Sequence, residues 1–227
     1  SKKDVIINEA MSNSQLFQSK FDLIIIDVLV QQLQEKIDTV PTHALLQSIN
    51  LLESDVSYLY RHSINVALIN GLLAKWLNLT EKESHDLIYG GLLHDIGKLN
   101  ISESILSKPE KLTEQEYELI KKHPLFSYEI LRDAGVDNET VLHCALYHHE
   151  RIRGDGYPKQ LKLEDTPLSA RITSISDSYD AMVSNRYHQN ALSPFEILQE
   201  FSQDKYSLFD ISIMNVLLDE FSRNLIG

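Results

Sequence analysis

The sequence has a single cysteine, Cys144, in 227 residues. An intramolecular disulfide is excluded, and a reducing compartment, the cytoplasm, is expected. Glycine and proline are scarce, at eight and six residues, and they fall in short punctuations between longer segments. No apolar run reaches the roughly 18 uncharged residues of a membrane-spanning helix. The most apolar run, 21–30, contains Asp22 and Asp27. The opening Ser-Lys-Lys-Asp lacks the apolar core of a signal peptide. The absence of an initial Met fits a chain trimmed or cut from a longer protein. Positive charge is short: 21 Lys plus Arg against 33 Asp plus Glu give a formal charge of −12. That balance argues against a non-specific nucleic-acid binder, which needs a basic face, and against adhesion to an anionic membrane.

The remaining composition is that of a globular protein, with 43% hydrophobic and 24% charged residues. Leu16, Phe17, Phe21, Ile24, Ile25, Val28, Leu29 and Leu33 step by three and four, which predicts an amphipathic helix over about 14–37. Pro41 breaks it. Apolar residues from Leu45 to Leu73 predict further helix running on through His62. Thr80 with Glu83 and Thr113 with Glu116 have the spacing of capping boxes, opening helices at 81–94 and 114–122, the second closed by Pro124. Helices are also expected at 125–134, 138–149, 167–184, 194–203 and 210–224. No alternating strand pattern competes with them, so the fold class is all-α.

Histidine is the one abundant oddity, at nine residues. Five of them, with two aspartates, occupy distinctive positions. His62 lies within a helix, and His94-Asp95 closes another. His123 precedes Pro124, His148-His149 ends a helix, and Asp177 sits in an Asp-x-x-Asp segment with Asp180. Imidazole and carboxylate together suit borderline divalent metals such as Fe, Mn, Zn or Ni. One carboxylate of a His-Asp pair can bridge two ions. Two six-coordinate ions offer about 12 positions. Five imidazoles, a terminal Asp177 and a bridging Asp95 would fill about eight. About four remain for a bridging hydroxide and phosphate oxygens, the layout of a hydrolytic two-metal centre. Lys98 follows Asp95 by three residues and on a helical turn faces the same side. His43, His85, His143 and His188 read as bystanders, Trp76 as core packing and Cys144 as a small buried hydrophobe.

Together these segments resemble the HD-GYP domain, a subgroup of the HD phosphohydrolase superfamily. The matching residues are Tyr58-x-x-x-His62, Leu92-Leu93-His94-Asp95-Ile96-Gly97-Lys98, His123-Pro124, His148-His149-Glu150-Arg151, Gly154-x-Gly156-Tyr157-Pro158 and Asp177-x-x-Asp180-Ala181. The resemblance covers about residues 55–225. It implies an HD-type helical bundle over 51–227, with residues 1–50 as an N-terminal helical extension. It also implies metal-dependent hydrolysis of cyclic di-GMP to the linear dinucleotide, GMP, or both. The ligands to two divalent ions, Fe or Mn first and Zn or Ni next, would be His62, His94, Asp95, His123, His148, His149 and Asp177. Asp95 and Lys98 would be catalytic. Lys98, Tyr157 and Arg186 would contact the substrate, Arg186 at a guanine base.

Several positions depart from the family pattern. Tyr58 replaces a Glu that helps hold a third metal, so two metals are expected. Arg153 stands where many members have Asp, Ser127 where Gly is usual, and Gln189 where a basic residue is usual. Altered or weakened preference for cyclic di-GMP follows as an expectation. The competing readings are a cyclic-dinucleotide sensor or interaction module, with a diguanylate cyclase as partner, and an HD phosphohydrolase of another nucleotide. The N-terminal helix is expected either to pack as plain core or to offer a surface for a homodimer or for coupling to a sensor.

Overall fold

The computed structural model describes residues 23–49, 58–186, 199 and 208–226, with the backbone alone for 58, 184–186, 225 and 226. Among the described residues the chain is helical. α1 (Leu23–Thr39) and α2 (Thr42–Ile49) precede α3 (Tyr58–Trp76) and α4 (Glu81–Leu93). A 3₁₀ turn (Ile96–Asn100), the short α5 (Glu103–Leu106) and α6 (Glu114–Ile120) lead to α7 (His123–Asp133). Then follow α8 (Glu139–Tyr147), α9 (Leu168–Arg186) and α10 (Ile211–Ile226). The only extended pairing among the described residues is an isolated bridge between Arg153 and Lys162. The all-α expectation is met.

Local chemistry sets the boundaries. Both capping boxes form. The Thr80 and Thr113 amides donate to Glu83 and Glu116 at 2.8 Å, and the threonine hydroxyls accept from the N3 amides in return. Each box satisfies two donors that a helix start would otherwise strand. Pro124 differs from expectation: it opens α7 rather than closing α6, because its missing N–H is not needed in a first turn. The helix expected to run from Leu45 to Leu73 is described as α2 and α3, with residues 50–57 outside the description. Residues 14–22 of the first expected helix also lie outside the described residues. So does the 194–203 helix apart from residue 199, which is helical.

One apolar cluster joins all the long helices. Val30 and Ile37 of α1, Leu46 of α2, Ile69 and Leu72 of α3, Ile88 of α4, Ile172 of α9 and Met214 of α10 are buried in it. Trp76 meets Phe221 edge-on at 5.8 Å, and Tyr179 meets the same ring at 4.9 Å. Cys144 is fully enclosed, and burial pushes its thiol up to about 12, the behaviour of an unreactive packing residue.

A close contact between α3 and α4 helps position the site. A Cβ on Gly91 of α4 would lie 2.8 Å from the Ala67 Cα of α3. Only glycine lets these two backbones approach so closely, and their approach brings the His62 and His94 rings to 5.2 Å. Gly91→Ala should therefore overpack the contact and destabilise the fold by about 1–3 kcal/mol. Urea unfolding of the variant against the parent chain checks this; equal midpoints would show that the α3–α4 contact relaxes freely.

Candidate metal centre

Each of the seven residues assigned to metal ligation reaches one buried cluster. His62 comes from the first turns of α3, and His94 caps the C-terminus of α4. Asp95 enters the 3₁₀ turn, and His123 begins α7. His148 caps α8, His149 follows it, and Asp177 lies mid-way along α9. Their donor atoms form three overlapping groups, each within 4.8 Å: His62, His94 and Asp177; His94, Asp95 and His148; and His123, His148 and His149.

Asp95 stands between the two ends. Its Oδ2 is 3.5 Å from Nε2 of both His62 and His94. Its Oδ1 is 3.1 Å from Nε2 of His123 and 3.7 Å from that of His148. Each carboxylate oxygen thus faces a different histidine pair. Asp177 closes one end, with Oδ1 3.1 Å from His62 Nε2 and Oδ2 3.9 Å from His149 Nδ1.

The imidazoles are oriented from behind. A carbonyl only accepts, so Nδ1–H must be the donor in His94 to Gly91 O (2.8 Å), His123 to Ile120 O (2.7 Å) and His148 to Cys144 O (2.9 Å). His62 Nδ1 donates to the Asp180 carboxylate at 2.6 Å. This fixes the ring orientations and turns four Nε2 atoms inward, as lone pairs on His94, His123 and His148. The consequence is electrostatic conflict. His123 and His148 Nε2 face each other at 3.2 Å, while His94 Nε2 and Asp95 Oδ1 are buried without a hydrogen-bond partner among the described residues. Converging lone pairs on imidazole and carboxylate are what divalent cations resolve, so the donor set fits the expected metals.

Protonation agrees at most positions. Burial, with neighbouring imidazoles, holds His148 well below its ordinary value, and burial sets His149 to about 3. His94 is lowered for the same reason. Asp95 is desolvated, yet Lys98 and the imidazoles beside it keep its carboxyl well below the usual carboxylate range. His62 is the exception. Burial opposes its charged form, but Asp177 and Asp180 outweigh that and raise it to about 10.

Lys98 Nζ is ion-paired with Asp95 Oδ2, as the three-residue spacing implied. Burial lowers and Asp95 and Asp177 raise its pKa, with a net rise that keeps it an ammonium. Tyr157 stacks on His149, ring centres 4.7 Å apart. A Cβ on Gly156 would strike Arg151 N and His149 O at 2.5 Å, so only glycine lets this loop lie on the His149–Arg151 backbone. Tyr157 N–H then bonds His149 O at 3.2 Å. Arg186 ends α9, but its side chain, with Tyr187, His188 and Gln189, lies outside the description. Arg153 and Asp155 are both exposed. His43 is exposed, His85 is half-buried beside Asp86 of α4 and His143 lies against Tyr147, all outside the cluster.

Three residues that the sequence leaves without a role hold the site together. Asp180 accepts from both His62 Nδ1 and Asn65 Nδ2 (2.7 Å), and its three-residue offset from Asp177 was the available signal. Glu150 accepts from the amides of Lys159 (2.6 Å) and Leu161 (2.9 Å), holding the Tyr157 loop. Ser127 Oγ accepts from Gly97 N–H at 2.8 Å, which gives the departure from glycine a purpose.

The chain belongs to the HD domain family, whose model matches residues 47–213, and within it to the HD-GYP group. It is 37% identical over 161 residues to a cyclic di-GMP phosphodiesterase of Pseudomonas aeruginosa, covering 71% of this chain and 39% of that protein. It is 35% identical over 161 residues to 3'3'-cGAMP-specific phosphodiesterase 2 of Vibrio cholerae, covering 70% of this chain and 31% of that protein. The chain thus spans about two fifths or less of the length of these relatives. Among solved structures, the Bdellovibrio bacteriovorus HDG"Y"P protein Bd1817 shares the fold with a TM-score of 0.73 at 20% identity, covering 96% of this chain and 71% of that one.

Two outcomes test the site's electrostatics. Because His62 is protonated near neutrality, filling that end must expel its proton, so metal affinity should rise with pH toward about 10. Calorimetry in buffers of different ionisation enthalpy should detect the released proton. Asp180→Asn weakens the anchor on His62 and should lower metal affinity by about 10–100-fold, read by chelator competition.

Proposed function

We propose that the chain is a metal-dependent cyclic-dinucleotide phosphodiesterase that cleaves cyclic di-GMP or a related cyclic dinucleotide to its linear form, and onward to mononucleotide. The carrying observation is Asp95: an ionised, 2%-exposed carboxylate with one oxygen toward each of two groups of imidazole nitrogens. In this reading His62, His94, Asp177 and Asp95 would hold one divalent cation, and His123, His148, His149 and Asp95 would hold the other. Such ions supply Lewis-acid charge on the phosphodiester and make water a competent nucleophile near neutral pH.

The side chains do the rest. The Nδ1–H anchors on backbone carbonyls and on Asp180 hold the donor geometry rigid, so little reorganisation accompanies the reaction. Lys98 keeps an ammonium beside Asp95, where it offers a point charge to a phosphate oxygen. Tyr157 covers His149 and limits water at that edge. Names of relatives include both cyclic di-GMP and 3'3'-cGAMP phosphodiesterases at similar identity, so the substrate class is the cyclic dinucleotide rather than one base pair.

The test is anaerobic reconstitution with Fe(II) or Mn(II), followed by a turnover screen over cyclic dinucleotides and ordinary nucleotides. Hydrolysis of at least one cyclic dinucleotide is expected. Asp95→Ala should lose more than the ~100-fold typical of disturbing a ligand's hydrogen-bond partner. Binding without turnover would instead support the sensor reading, and cleavage confined to other nucleotides would replace the substrate class.

A further inference from the structure

Lys121 occupies an unusual position at the edge of this cluster. Its Nζ lies 5.7 Å from the centre of the Tyr157 ring and 5.8 Å from that of Tyr117. Tyr157 is the ring stacked on His149, so a single aromatic ring separates the ammonium from a candidate ligand. Tyr117 is 52% exposed, a large aromatic surface left open to solvent. Lys121 also bonds Glu118 Oε1 at 2.9 Å, but the Glu118 side chain is 57% exposed. A pair that open to water holds little energy and yields readily to another anion.

Among the described residues, Lys98 and Arg151 are more firmly committed. Lys98 is engaged by buried Asp95. Arg151 donates to Ser174 Oγ at 2.5 Å and to the carbonyls of His148 and Glu150, and lies over Phe209. A cyclic dinucleotide carries two phosphates and two purines. The metal cluster and Lys98 account for one phosphate. The second phosphate and the bases need a positive charge and an aromatic face outside the cluster, and the −12 chain offers no general attraction for them.

Building on the phosphodiesterase reading, we propose that Lys121 and Tyr117 form a second substrate subsite, with Lys121 taking the non-scissile phosphate and the exposed Tyr117 ring stacking a purine. Tyr157 fixes the ammonium between the two rings through cation–π attraction. Base–aromatic stacking tolerates any purine, so this subsite serves guanine and adenine alike. It sets affinity for the cyclic dinucleotide as a class, not the choice between its bases.

The experiment compares two substrates on metal-loaded protein: a cyclic dinucleotide, and bis(p-nitrophenyl) phosphate, which has one phosphate and no purine. Lys121→Gln and Tyr117→Ala should each lose roughly tenfold more kcat/KM on the cyclic dinucleotide than on the small diester, mainly through KM. Tyr117→Phe, which keeps the ring, should behave like the parent on both substrates. The KM penalty of Lys121→Gln should also shrink as salt rises. Equal losses on both substrates, or none, would overturn the subsite while leaving the phosphodiesterase reading intact. A parent protein that cleaves the small diester but no cyclic dinucleotide would overturn both.

Discussion

A charged carboxylate buried at the meeting point of five structural segments is the constraint on which this molecule turns. Asp95 is ionised at 2% exposure, a condition that costs several kcal/mol unless opposite charge or strong donors surround it. The chain supplies that surround from α3, α4, α7, the end of α8 and α9, with Lys98 alongside. Three of these helices reach the carboxylate by their ends. His94 and His148 are C-caps and His123 is the first residue of its helix. Helix ends leave backbone carbonyls free, and those carbonyls take the Nδ1 protons. The same unsatisfied groups that make helix termini expensive elsewhere become the fixtures of the imidazoles here.

Two glycines show how tightly the backbone serves this arrangement. At Gly97, a Cβ would sit 2.1 Å from His123 O, so the 3₁₀ turn carrying Asp95 and Lys98 lies directly on the segment that positions His123. At Gly156, the loop folds onto the peptide of His149 and Arg151. In both places one candidate ligand's backbone is the surface against which another part of the site is packed. Ligand geometry and loop geometry are one problem, solved by removing a methyl group twice.

Much of this was legible in the residues. The two threonine–glutamate capping boxes depend on contacts three residues apart, and both formed as read. The grouping of the candidate ligands was legible because their companions Gly97 and Pro124 mark the same places. What stayed hidden is whatever depends on distant pairing. Asp180 sits 118 positions from His62, and Ser127 sits 30 from Gly97; nothing local announces either bond. Pro124 was misassigned for a related reason. A proline tells where a helix cannot continue, but not whether the break belongs to the helix before it or the helix after. Lys121 reads in sequence as one more surface lysine, and only the two tyrosine rings around it give it a place.

The polar wiring of α2 bears on what counts as the folding unit. The last carbonyl of α2, Ile49 O, accepts from Asn65 Nδ2 at 3.2 Å, and the same amide donates to Asp180, the anchor of His62. Lys75 Nζ likewise caps Ile37 O at the end of α1, at 2.8 Å. The family match starts at residue 47, after every motif-free helix of the N-terminal segment has all but passed. Yet a boundary drawn there would strip Val30, Ile37, Leu45 and Leu46 from the common core and leave α3 with bare apolar surface where α1 now lies. A piece cut to the motifs would therefore expose part of this shared core: the motifs lie in one stretch of chain, and the helices packed on it begin more than twenty residues earlier.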